Sequence, residues 1–291
     1  MPELPEVETV RRGLSSLIIH KSVHSVKVLD SPKSFPNDPI TVDEFLVGAT
    51  ITDIRRRAKV LLIDLSTNYS LVVHLKMTGQ LVYRGDQVFG AGHPNDSLIG
   101  KLPDRSTRVV IEFKDASHLY FNDQRKFGWV KLYPTPEVPN IDFMQRVGPE
   151  PLEDSFESPE FVARMRRRNN TTVKAAILDQ TVLAGVGNIY ADESLWGARI
   201  HPSQRVKEVS DEQLAMLLKE IKYVMLLSIE KGGSTDRNYV NAEGKKGSYI
   251  DFARVFRKEN TPCPRHPDVL IQKIRVAGRG THLCPVCQSL K

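Results

Sequence analysis

No run of eighteen apolar residues occurs in the 291-residue chain, so no segment of it reads as a bilayer-spanning helix. The opening stretch MPELPEVETV holds three glutamates where a secretory signal would be basic and then apolar. The expected location is therefore the cytoplasm. Cysteine is scarce: Cys263, Cys284 and Cys287 are the only three, all within the last 29 residues. An odd count without an export signal argues against a disulfide framework and towards a metal. Internal repeats and low-complexity tracts are also missing.

Charge is present and unevenly spread. The net charge is +6, and residues 251–291 carry eight Lys/Arg against three acids. A second basic run comprises Arg164, Arg166, Arg167 and Arg168. Clustered basic charge is the footprint of phosphate binding, although a solvated face explains any single run equally well.

The hydrophobic period changes along the chain. Val7, Val10, Leu14 and Leu17 or Ile18 recur at helical spacing, with Pro5 near the first turn and acids at the positive end of the dipole. From about 22 to 133 the period is two. VHSVKV, TITDI, VLLIDL, LVVHLKM, RVVIEF, HLYF and GWVKLY read as short strands, which suggests a β-sandwich or barrel. Residues 84–107 are polar and rich in Gly and Pro, and are expected to be a mobile loop. Five prolines between 134 and 151 suggest a linker between domains. Beyond it the pattern turns helical. Ser158-Pro159 reads as an N-cap and first helical residue, and Ser210 with Gln213 as a capping box opening a helix that stops at Gly232-Gly233. A Gly-, Asn- and Lys-rich stretch follows at 234–249, then the cysteines.

Three motifs carry chemistry. Cys263-Pro-Arg-His266 and, after seventeen intervening residues, Cys284-Pro-Val-Cys287 can offer three thiolates and one imidazole to a closed tetrahedral Zn²⁺ site. A terminal segment this polar hardly folds without such a staple, and the basic residues between the knuckles, Arg275 and Arg279 among them, would then sit on a rigid hairpin. In Ala184-Gly185-Val186-Gly187-Asn188, two glycines permit positive φ, and Asn188 can cap the helix that follows. A helix start with free N–H groups suits phosphate, but a Gly-rich turn is more often only a turn. Finally, removal of Met1 would leave Pro2 with a free secondary amine, able to attack an electrophilic sugar carbon, with Glu3 and Glu6 beside it to move protons. On spacing alone, a helix that merely starts with favourable residues explains this segment as well.

PELPEVETV at 2–10, AKVLLIDL at 58–65, HLKMTGQL at 74–81, NDQRKFGWV at 122–130, GPEPL at 148–152, LDQTVLAGVGNIYADESLW at 178–196, GGSTDRNYVNAEGKKG at 232–247 and RGTHLCPVCQ at 279–288 stand in one order along nearly the whole chain. Together they closely resemble the bacterial formamidopyrimidine-DNA glycosylases of the helix-two-turn-helix superfamily. The resemblance implies an α+β protein with an N-terminal β-sandwich and flanking helices at 1–133, a linker at 134–150, a helix-two-turn-helix DNA-binding domain at 151–258 and a zinc-finger β-hairpin at 259–291. It implies a bifunctional enzyme that excises oxidised purines and cleaves the strand by β,δ-elimination through a Schiff base on Pro2. Glu3 would be the general acid/base, Glu6 a support, and Lys59 a cation in a hairpin turn contacting phosphate. Met77, Arg125 and Phe127 would fill the gap left by the extruded base, as an apolar wedge, a guanidinium facing cytosine and a stacking ring. His74, Lys126, Lys174, Asn188 and Arg279 would contact DNA, and 234–249 would close over the flipped base. One structural zinc on Cys263, His266, Cys284 and Cys287, a monomeric state and duplex DNA with an oxidised purine or abasic site as partner complete the expectation.

The sequence departs from that pattern in places. His266 replaces a cysteine, the spacing to Cys284 is one residue longer, and Phe256-Arg257-Lys258 stands where the family has Tyr-Gly-Arg. The pyrimidine-specific endonuclease VIII branch is a rival, opposed by Leu4 and the full 234–249 stretch. A non-catalytic damage sensor is another, opposed by intact Pro2, Glu3 and Lys59.

Overall fold

The computed structural model describes residues 2–93, 95–234 and 249–290. The chain divides into two compact units, Met1–Gln145 with Lys231–Ser248 and Arg146–Glu230 with Tyr249–Lys291. Among the described residues no helix is long and apolar enough to cross a membrane.

The first unit opens with α1 (Leu4–Ile18), whose Val7, Val10, Leu14 and Ile18 are buried on one face. The strands follow as β1 (Val23–Val28), then after helix α2 (Pro39–Phe45) β2 (Ile51–Arg57), β3 (Val60–Leu65), β4 (Tyr69–His74), β5 (Gly79–Arg84), β6 (Val88–Gly92), β7 (Thr107–Phe113), β8 (His118–Asp123) and β9 (Trp129–Pro134). They form two antiparallel sheets, β1-β7-β8-β5-β6 and β2-β3-β4-β9. Alternate residues of both sheets, including Ile63, Leu71, Val73, Leu81, Ile111, Phe121 and Val130, share one core with the apolar face of α1. The β-sandwich is thus the arrangement adopted. Two connections, 75–78 after β4 and 124–128 after β8, pass from one sheet to the other at the same end.

Residues 84–107 are not a loop throughout. β6 pairs with β5, and Phe89, Ala91 and Leu98 are buried. Phe89 fills the space above Gly13 of α1, where a Cβ would lie 2.2 Å from its ring. The expected LVVHLKM strand ends at His74, and the chain turns before β5. The proline-rich stretch is ordered too. Thr135–Asn140 is a 3-10 turn with Val138 buried against Val60, Leu62 and Val72, and α3 (Asp142–Arg146) follows.

The second unit contains α4 (Ser158–Arg166), α5 (Val173–Leu178), α6 (Asn188–Gly197) and α7 (Asp211–Glu230). It ends in β10 (Pro262–Cys263), β11 (His266–Leu270), β12 (Gln272–Val276) and β13 (Arg279–Leu283), paired as two hairpins. The capping box on α7 is formed: Gln213 N donates to Ser210 Oγ at 3.2 Å and Ser210 N to Gln213 Oε1 at 3.3 Å. On α4 the cap shifts by one residue. Glu157 is the N-cap, and Ser158-Pro159 occupy the first turn. Leu214, Leu217, Leu218, Ile221 and Met225 of α7 form the buried face, with α4 and α6 packed against the helix.

Glu8 fastens α1 to β2. Its carboxylate accepts from Arg11 Nη2 at 2.8 Å, Arg12 Nε at 2.8 Å and Arg56 Nε at 3.2 Å. Burial alone would raise its pKa, but these guanidiniums outweigh it and hold the carboxyl at about 2. Because the folded value lies below the ordinary 4.5, the stabilisation is complete above about pH 4.5 and drains away as pH falls towards 2. Glu8→Gln should cost about 1–2 kcal/mol at neutral pH, allowing for solvent screening. It should also flatten the stability curve between those limits; an unaltered acid-unfolding curve would refute the assignment.

Candidate functional site

In the first unit, Pro2, Glu3 and Glu6 are buried where α1 begins. Glu6 is a bridge: Oε2 accepts from the N–H of Glu3 at 2.8 Å and Oε1 from that of Ser234 at 2.9 Å. The start of α1 is thereby tied to the point where the 235–248 segment begins. That segment, named above as a cover for the flipped base, lies outside the described residues, as does Met1.

Ala58-Lys59 form the two-residue turn between β2 and β3, with Ala58 at φ +53. Arg56 Nη1 donates to Ala58 O at 3.1 Å while Nε reaches Glu8, so this turn is fastened to the first turns of α1. Lys59 is buried, and β3–β4 pairing sets His74 opposite Val60, the next residue. His74 is also buried. Burial, with the charges of Lys76 and Lys59, holds its imidazole at about 3, hence neutral at physiological pH. Its Nδ1 accepts from Lys76 N at 3.0 Å, which leaves the proton on Nε2 as a donor.

Met77 sits half-buried on the 75–78 turn; Arg125, Lys126 and Phe127 are exposed on the 124–128 turn. The Arg125 guanidinium lies 4.9 Å from the Phe127 ring centroid. Phe127 is 55 % exposed on a short turn, so its ring is not part of the apolar core. Lys126, at φ +57, pairs with Asp30 Oδ2 at 2.8 Å.

In the second unit, α5 and α6 are joined by two tight turns. Gln180 organises them: Nε2 donates to Leu178 O and Val186 O, and Oε1 accepts from Gly185 N at 3.0 Å. Only Gly185 takes positive φ, at +81; Gly187 does not. Gly187 rather than Asn188 is the N-cap of α6. Asn188, the first residue of α6, donates from Nδ2 to Gly280 O at 2.9 Å. Arg279 is exposed beside that contact, on the β12–β13 hairpin whose turn residues Ala277 and Gly278 both have positive φ. The expected phosphate contact at Lys174 is corrected. Its side chain is 0 % exposed, with Nζ on Asp192 Oδ1 at 2.5 Å, Thr281 Oγ1 at 2.7 Å and Gly280 O at 3.4 Å. All three ammonium protons are spent inside the protein, so none is left for a phosphate.

Sequence reading missed Asp192 and Glu193. Both are fully buried on α6. Asp192 Oδ2 accepts from His282 N at 2.9 Å and lies 3.1 Å from its Nδ1. Glu193 accepts from the backbone N–H groups of Arg254, Val255 and Phe256 at 2.8–3.1 Å. Two acids in a helix otherwise full of apolar and small residues were the available signal. Arg257, where the family pattern has glycine, adopts φ +58, a conformation costing an L-residue about 1 kcal/mol.

Cys263, His266, Cys284 and Cys287 converge, their ligand atoms all within 4.8 Å of one another. His266 Nδ1 is 3.1 Å from Cys287 Sγ, and the sulfurs of Cys263 and Cys287 are 3.6 Å apart. Burial, aggravated by the two neighbouring sulfurs, pushes the Cys287 thiol up to about 12. Burial would raise Cys263 as well, but the backbone N–H groups of Arg265 and His266 help bring it to about 6. Three soft sulfurs and one imidazole, closely spaced and enclosed, fit one structural zinc, whose charge is what such a crowd of thiols requires.

Three family models match the chain: the formamidopyrimidine-DNA glycosylase N-terminal domain at residues 1–130, the formamidopyrimidine-DNA glycosylase H2TH domain at 147–239, and the zinc finger found in FPG and IleRS at 269–290. The formamidopyrimidine-DNA glycosylase of Pediococcus pentosaceus is 40 % identical over 291 residues, covering 100 % of both chains. That of Pelotomaculum thermopropionicum is 38 % identical over 292 residues, again covering 100 % of both. Among solved structures, Lactococcus lactis Fpg in complex with abasic-site DNA superposes with a TM-score of 0.87 at 33 % identity, covering 99 % of this chain and 100 % of that one. A variant of the same protein bound to Fapy-dG-containing DNA gives 0.87 at 32 % identity with the same coverage.

The corrected place of Lys174 makes a prediction. Lys174→Met leaves Asp192 buried without its cation, which should destabilise the protein by about 3–5 kcal/mol. The slope of DNA affinity against salt should stay unchanged, measured on folded protein at low temperature. A slope reduced by about one unit with stability intact would return Lys174 to the phosphate contacts.

Proposed function

The chain belongs to the formamidopyrimidine-DNA glycosylase family, and from that premise we propose the role of each residue in its site. It is a DNA glycosylase for oxidised purines in base excision repair, with the AP lyase activity typical of the family. The zinc is structural, and DNA carrying a lesion or abasic site is the partner. The observation that carries this reading is identity of about 40 % across the full length of glycosylase relatives, with the N-terminal PELPE segment intact.

Pro2, freed of Met1, is the nucleophile. Its amine bonds to C1′, the glycosidic bond breaks, and the base leaves with a proton. Glu3 supplies the proton that opens the sugar. The resulting iminium draws electrons from the sugar, so loss of the C2′ proton expels one phosphate and a second elimination expels the other. Glu6 holds the start of α1 through Glu3 N and Ser234 N. Lys59 places a cation beside the lesion phosphate, and His74, kept neutral, offers its Nε2 proton to the backbone of DNA. Met77, Arg125 and Phe127 occupy the space vacated by the flipped base, with Lys126 at the same edge; the shared end of the sandwich supports this. Asn188 and Arg279 hold phosphate where α6 begins, and Cys263, His266, Cys284 and Cys287 hold the zinc. We assign residues 1–133 to catalysis, 134–150 to the connection, 151–258 to the helix-two-turn-helix domain and 259–291 to the finger. The protein acts as a monomer in the bacterial cytoplasm.

Borohydride should trap the native protein on an abasic duplex as a covalent adduct, and one extra residue ahead of Pro2 should abolish both adduct and nicking. Trapping of the extended protein at the normal rate would name another amine as nucleophile. Arg125→Ala should narrow the preference for 8-oxoguanine opposite cytosine over adenine, whereas Arg279→Ala should weaken binding to every duplex and lower the salt slope by about one unit. Equal losses against both pairings would move Arg125 among the phosphate contacts.

A further inference from the structure

Asp123 is fully buried at the end of β8, yet its carboxylate serves neither sheet. Oδ1 accepts from the hydroxyl of Thr78 and, at 3.2 Å, from the N–H of Arg125. Oδ2 accepts from the N–H of Gly128 at 2.6 Å. Thr78 Oγ1 is itself an acceptor for Arg125 N at 3.0 Å. One carboxylate and one hydroxyl thus clasp both crossings between the sheets: the 75–78 turn that carries Met77 and the 124–128 turn that carries Arg125 and Phe127. The clasp is closed from behind, where Arg108 Nε donates to Asp123 O at 2.8 Å. It is also tight: a Cβ on Gly128 would lie 2.8 Å from Phe121, 3.1 Å from Asp123 Oδ2 and 3.1 Å from His74 O.

We propose that Asp123 and Thr78 are positioning residues that set the three-residue wedge, fixing Met77 and the Arg125–Phe127 pair relative to each other before DNA arrives. The proposal rests on the reading of Met77, Arg125 and Phe127 as the side chains that fill the gap. The physical case is that these side chains are half-buried or exposed and receive little packing support of their own. Short turns without such support would sample many arrangements, and the cost of ordering them would fall on base extrusion. A buried anion sharing three donors between two turns removes that freedom in advance. Asp123 is fully buried with both carboxylate oxygens taken by the two turns, so its influence passes through the wedge.

The test uses the full-length, zinc-loaded protein. Thr78→Val keeps the side-chain shape and deletes the clasp, and Thr78→Ser restores the hydroxyl. Thr78→Val and Asp123→Asn should each slow single-turnover excision of 8-oxoguanine from duplex DNA by about tenfold or more, with borohydride trapping on an abasic duplex changed by less than about threefold. Thr78→Ser should return excision to within about twofold of the native rate, and in a Phe127→Ala background Thr78→Val should cost less than about twofold, because the wedge is already lost. Should Asp123→Asn fail to fold, the two Thr78 variants decide. Native excision rates in Thr78→Val, equal losses of excision and trapping, or full additivity with Phe127→Ala would each overturn the latch. A native protein that excises no oxidised purine would overturn the functional reading beneath it instead.

Discussion

A carboxylate can be buried only where donors replace the water it has lost, and α6 carries two in succession. Asp192 and Glu193 point to different neighbours because consecutive residues on a helix lie about 100° apart. Asp192 therefore meets Lys174 and the finger strand β13, whereas Glu193 collects the backbone N–H groups of 254–256. Tyr249 donates towards the same carboxylate at 3.4 Å, and burial beside Glu193 raises its own pKa. Together the two acids dictate where the chain re-enters the helical unit and where the zinc hairpin docks. Arg279 and Asn188 come together because of this, since Thr281 and His282, two and three residues beyond Arg279, are held by the Lys174–Asp192 pair.

The same device recurs in the first unit on a smaller scale. Glu8 draws three arginines and thereby sets the Lys59 turn against α1. Glu6 joins the backbone of Glu3 to that of Ser234. Asp123, together with the Thr78 hydroxyl, joins the two crossing turns. In each case a buried acidic side chain collects hydrogen-bond donors from separate segments: at the start of a helix, between crossing turns, or beside the metal-stapled module. Hydrogen bonds to charged groups are individually stronger than neutral ones, which suits them to that task.

Much of the fold was legible because it depends on period and local chemistry. The α1 stripe, seven of the nine strands in the sandwich, the Ser210–Gln213 box and the four metal ligands each follow from residues close together in sequence. β6 was not legible, because Val88-Phe89-Gly-Ala-Gly92 has too little apolar pattern to announce a strand. Its place is set by β5 and by a glycine of α1 far away in sequence. Lys174 shows the other limit. A lysine within a basic chain reads as a surface cation, and only the arrival of Asp192 and Thr281 from 18 and 107 residues away turns it into a core ion pair.

What the sequence by itself determined is therefore the inventory: a prolyl terminus followed by acids, a glycine turn before a helix, and four soft ligands at finger spacing. Each is a short-range pattern whose chemistry belongs to the residues themselves. The tertiary structure alone decided which charges are spent inside and which remain exposed. Lys174 is consumed, Arg279 is left exposed, and His74 is stripped of its proton by burial. The physical reason is desolvation. The cost of a charge depends on the dielectric and the donors around it, and those are supplied by segments that meet only when the chain has folded.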